Sequence, residues 1–155
     1  MTNIIIILGD DMEKYELAAL ILKDADMSVY TLTGLLDDLK EKDNKIKGTV
    51  EDILKGYERY LDRAKTFLEE KECDEKFESR IAKMMSRMGV KKEVRSDNSD
   101  SAIAEMLIQG VSMGSLDMEK SLSEYEKDAE KEELEMAHDF YDFQQDVITS
   151  LKKYL

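Results

Sequence analysis

The stretch Asp97-Asn-Ser-Asp-Ser-Ala-Ile-Ala-Glu-Met-Leu-Ile-Gln-Gly-Val-Ser-Met-Gly-Ser-Leu-Asp-Met-Glu-Lys-Ser-Leu122 decides the fold. It opens on residues that accept hydrogen bonds from the free N–H groups of a helix start, with Ser99 or Asp100 the expected N-cap. Ile103, Leu107, Gly110 and Gly114 then fall at helical spacing, with Met106, Met113 and Met118 beside them. Gly110 and Gly114 share one face of that helix. Glycine inside a helix costs about 1 kcal/mol relative to alanine. Two on one face therefore predict a close neighbouring helix. The stretch reads as the central helix of a bundle.

The flanking sequence repeats this pattern. A first helix is expected from Asp10 or Asp11 to about Glu41, with Ala18, Ile21, Ala25, Ser28, Leu32, Leu35 and Leu39 as its inner stripe and a kink near Asp24 to Asp26. Lys42 to Lys45 is a short turn, which makes the next helix an antiparallel neighbour. That helix runs to about Lys71, with Ile46, Val50, Ile53, Tyr57, Tyr60, Ala64 and Phe67 in coiled-coil-like register. Leu54, Leu61 and Leu68 flank them. Cys73 to Val90 reads as a shorter helix stopped by Gly89. Glu124 to Glu133 is almost wholly charged and is expected to break the chain so that it can reverse. The last helix carries Leu134, Ala137, Tyr141, Gln144, Ile148, Leu151 and Leu155, and Lys152 and Lys153 suit the negative end of its dipole.

Composition agrees. The 155 residues contain no proline and seven glycines, so little interrupts a helix. A length of this order suits one domain, 1–155, with a real core. Hydrophobic residues make up 42% and charged residues 38%, which argues against disorder. The net charge of −13 repels phosphate backbones and anionic lipid, so neither nucleic acid nor a membrane surface is expected as a partner. No apolar run is long enough to span a bilayer. A single cysteine, Cys73, permits no internal disulfide and fits a reducing, cytoplasmic location.

Ile4 to Leu8 is the one strongly β-like segment. No glycine-rich loop and no second apolar strand follow it, and a lone strand has no pairing partner. It reads as a helical lead-in, a tail across the bundle or a sticky edge in a dimer. Gly-Asp-Asp-Met, Gly9 to Met12, is also what a purine-rich ribosome site and start codon would encode. On that reading Met12 is the natural start and 1–11 an appended tail.

Candidate chemistry is sparse. Glu135-Met136-Ala137-His138 places a carboxylate and an imidazole one turn apart, as in di-iron bundles, which use that motif twice. His138 is the only histidine, so the second motif cannot exist within the chain. Glu135 and His138 are therefore weak metal candidates, and no metal or cofactor is expected. Glu58, Glu105 and Asp117 lie beside core positions, but charged residues at helical spacing usually form a solvated face. Ser99, Ser101, Ser112 and Ser115 lack a base. Cys73 sits among Glu70, Glu72, Asp74 and Glu75, which disfavour its thiolate. No catalytic residue is assigned. The ten methionines, with Met84, Met85, Met88, Met106, Met113 and Met118 clustered in the second half, fill a core or line a pliable contact surface.

The central stretch resembles a motif in a group of small bacterial proteins of unassigned function, common among clostridia, with a ferritin-like helical bundle. The residues that carry the resemblance are Asp100-Ser101, Ile103 to Gly110 and Met113-Gly114. Ala82 to Met85, Met88-Gly89 and Leu151 to Leu155 are similar too. The likeness spans Asp24 to Leu155 and implies the fold without an activity. The expected architecture is all-α, an up-down four-helix bundle, ferritin-like by resemblance, with one short additional helix. The expected role is non-enzymatic, through a protein partner or homo-oligomer. The alternative is a ferritin-like bundle that binds a metal or a small ligand.

Overall fold

The computed structural model describes residues 15–71 and 97–155. Within them lie four α-helices: α1 Glu16–Asp38, α2 Lys47–Glu70, α3 Asp100–Tyr125 and α4 Lys131–Leu151. A 3-10 turn, Lys152–Tyr154, closes the last helix. The Ile4 to Leu8 segment, the alternative start at Met12, the short helix Cys73 to Val90 with Gly89, and Met84, Met85 and Met88 lie outside the described residues.

The described residues form an all-α four-helix bundle. α1 packs mainly on α2, and α3 mainly on α4, as two antiparallel hairpins. Their relative direction follows from contacts between them. Asn44, just past α1, donates to the Asn98 carbonyl and to Asp100 Oδ1 at 2.8 Å each, and the Lys45 N–H donates to Asp100 Oδ2. The end of α1 thus meets the start of α3. At the opposite pole Lys71, after α2, bridges Glu130 before α4 at 2.6 Å. The helices therefore run up, down, down, up. The chain leaves α2 at one pole and re-enters α3 at the other.

Capping and stripe positions explain the elements. Ser99 is the N-cap of α3, accepting from the Ala102 N–H at 3.2 Å. The α3/α4 reversal falls at 126–130, inside the charged segment expected to break. α1 runs unbroken through Asp24 to Asp26, and its predicted inner stripe is buried except Ser28, which is half-buried. Of the stripe expected for α2, Ile46, Val50, Ile53, Tyr57, Ala64 and Phe67 are buried and Tyr60 is half-buried. On α4 the buried face is Met136, Ala137, Phe140, Gln144, Val147 and Leu151. Leu134, Tyr141 and Ile148, assigned to that stripe from the sequence, are only half-buried, and Leu155, also assigned to it, is exposed beyond the helix end. The face is turned by about one residue, because Phe140 packs edge-on to Tyr57 and Tyr60 at 6.0 and 5.2 Å between ring centres.

The two glycines of α3 part company. Gly110 is exposed, and a Cβ there would meet nothing within 4 Å. It marks no close approach, contrary to the expectation from its spacing. Gly114 does: a Cβ there would strike the Asp24 carboxylate of α1 and the Gln144 amide of α4. A third glycine, Gly56 of α2, lies under the Phe143 ring, where a Cβ would collide. Gly110→Ala is accordingly expected to raise the unfolding free energy by about 0.5–1 kcal/mol, through helix propensity alone. A urea titration against wild type checks it.

Candidate functional site

The weak metal candidates stand apart from other ligating groups among the described residues. Glu135 and His138 are both exposed on the outer side of α4. Glu58, Glu105 and Asp117 are exposed as well. Among the described residues no group of three histidine, cysteine or carboxylate side chains is placed to hold a metal ion.

Polar chemistry collects instead at mid-height in the bundle, where all four helices contribute. Asp24 of α1 accepts from Gln144 Nε2 of α4 at 2.9 Å and from Ser28 Oγ at 3.1 Å. Gly114 of α3 leaves room for that pair, and Tyr57 of α2 completes the layer. Tyr57 and Gln144 are fully buried; Gln144 Oε1 has no hydrogen-bond partner among the described residues, and the Tyr57 hydroxyl has none of good geometry, although the Ser28 and Gln144 side chains lie close beside it. At the neighbouring positions of the same two helices, Gln145 Nε2 donates to the buried Ser115 Oγ at 2.5 Å. Burial raises the Asp24 carboxyl to about 6, opposed by the bonds from Ser28 and Gln144 and reinforced by Asp117. Burial also raises the Tyr57 hydroxyl, and the Asp24 charge adds to this.

A second buried carboxylate holds the pole. Glu133 is 1% exposed and accepts from the Ala18 N–H at 3.0 Å. Tyr15 gives α1 no side-chain cap, so Glu133 of α4 satisfies donors that the helix itself leaves free. Burial raises Glu133 to about 7, against the pull of the Ala18 and Leu17 N–H groups. Both carboxyls hold their protons more tightly folded than unfolded. Stability is therefore fullest below their unfolded values and falls as pH rises through about 6 and about 7. Urea midpoints are expected to drop between pH 4.5 and 7.5, and Asp24→Asn should flatten the lower part of that slope.

The surface carries a third feature. A groove between α2 and α4 is lined by Arg59, Tyr60, Arg63, Asp139, Asp142, Phe143 and Asp146. Tyr60 lies 5.2 Å from Phe143, ring centre to ring centre, and forms the aromatic floor with it. Arg63 pairs with Asp139 at 2.9 Å. Arg59 and Arg63 are the two arginines of the described residues, and both stand here. Elsewhere Met113 and Leu116 of α3 stand 71% and 50% exposed, while Met118 and Met136 fill the core. Of the methionines singled out from the sequence, Met118 is in the core, Met106 is half-buried and Met113 is exposed.

Sequence reasoning missed the groove, Glu133 and the partnership of Asp24. The visible signals were Ser28 and Gln144, polar residues standing in otherwise apolar stripes. No family model, curated protein or solved structure matches the chain. No helix of the described residues is long and apolar enough to cross a membrane.

Proposed function

We propose that this chain is a non-enzymatic helical bundle of the cytoplasm that works by protein–protein association, with another protein or with itself. The observation that carries this reading is the α2/α4 groove. It combines two arginines with an aromatic floor, the residue types enriched where proteins meet. Size-exclusion of native cell extract tests it. The wild-type chain should elute well above its 17.9 kDa monomer mass, and an Arg59→Ala/Tyr60→Ala variant should elute as the monomer. Wild type eluting as a monomer in the extract would contradict the reading.

A second reading has its own support. The direction order up, down, down, up has the single long crossover of ferritin-like bundles. The mid-bundle layer, with Gln144 Oε1 unpartnered and the Tyr57 hydroxyl without a partner of good geometry, suits a small polar ligand. On this reading the binding residues are Asp24, Tyr57 and Gln144, rather than Glu135 and His138. A non-covalent adduct kept in native mass spectrometry and lost in Asp24→Asn would favour it over association.

A further inference from the structure

We infer that the α2/α4 groove is the interface of a two-fold symmetric dimer, an inference that rests on the association reading and names a second copy as the partner. With a net charge of −13 two copies repel overall, so pairing needs locally opposed charges. The groove supplies them in a self-complementary pattern. Its basic side is α2, through Arg59 and Arg63, and its acidic side is α4, through Asp139, Asp142 and Asp146. Arg63 is already paired with Asp139. That leaves Arg59 on one wall and Asp142 and Asp146 on the other, all exposed.

Helix direction selects one symmetry. α2 and α4 are antiparallel, so one turn from Arg63 to Arg59 corresponds to one turn from Asp139 to Asp142. A two-fold axis parallel to the helices lays α2 of one copy on α4 of the other and keeps residue heights. Arg59 of each copy then faces Asp142 and Asp146 of the other, twice over, across the two Tyr60–Phe143 floors. The perpendicular two-fold lays α2 on α2 and α4 on α4. It brings arginine to arginine and aspartate to aspartate, an arrangement that like charges disfavour. An isologous contact of this kind closes on itself and leaves no open surface for a fibre.

Sedimentation velocity of the full chain over a concentration series tests the inference, with circular dichroism to confirm that each variant is helical. Wild type should sediment as a dimer. Arg59→Glu alone, and Asp142→Arg/Asp146→Arg alone, should each weaken dimerisation about a hundredfold. Mixing the two variants should restore a dimer, because opposite charges face each other again at both contacts. A wild-type monomer at every concentration, or variants that dimerise as well alone as mixed, would overturn the self-pairing. The broader association reading would stand if native extract still showed a large species that depends on Arg59 and Tyr60, and would fall with it otherwise.

Discussion

Replacing Phe140 with alanine is expected to lower the free energy of unfolding by about 3–5 kcal/mol. Phe140 is fully buried and meets Tyr57 and Tyr60 edge-on, with Phe143 a further neighbour at 6.3 Å. Truncation removes transfer energy and leaves a cavity between α2 and α4 that rigid rings cannot fill. Tyr141, the next residue, is half-buried, so Tyr141→Ala should cost well under half as much. The contrast is informative because the sequence stripe favoured Tyr141. Equal effects at the two positions would mean that α4 is turned the other way. Urea unfolding of both variants at one pH decides it.

The second large effect lies in the polar layer. Gln144→Leu keeps about the same volume but removes the donor to Asp24 Oδ2. It leaves a buried carboxylate with one fewer hydrogen bond, and the expected loss is about 2–3 kcal/mol at pH 7.5. The loss should shrink at pH 5, because Asp24 with its carboxyl near 6 is then protonated and no charge is stranded. Asp24→Leu/Gln144→Leu should recover much of the stability, since replacing both partners by apolar groups can be nearly neutral. A double variant no more stable than Gln144→Leu alone would show that Asp24 is held by something other than that bond. Chemical denaturation at both pH values separates the outcomes.

The fold was legible because four helices without proline advertise their faces. The stripes of α1 and α2 match the buried residues nearly position for position, and Ser99 is the cap its residue type predicts. Legibility failed where three-dimensional company decides. Gly110 and Gly114 look alike in sequence, yet only Gly114 faces other side chains, because Asp24 and Gln144 arrive there from two other helices. Glu133 sits in a charged run that reads as solvated, and it is buried because α1 begins beside it with uncapped N–H groups. Arg59 and Asp142 are unremarkable surface charges within their own helices. They share a groove only because α2 and α4 pack antiparallel around Phe140. Glu135 and His138 were weak candidates for a related reason: Glu-x-x-His fixes two side chains on one helix and says nothing of whether that side faces inward, and both are exposed.

The central claim is that the α2/α4 groove meets a protein in the cell, and site-specific photo-crosslinking tests it most directly. A photoreactive phenylalanine analogue is placed at Tyr60 and, as a control, at Lys120 on the exposed side of α3. Irradiation of living cells is predicted to give a discrete protein adduct from position 60 and none from position 120. An adduct at twice the monomer mass would assign the partner to a second copy, and any other discrete mass would assign it to a different protein. No adduct at position 60, or the same adducts from both positions, would contradict the account.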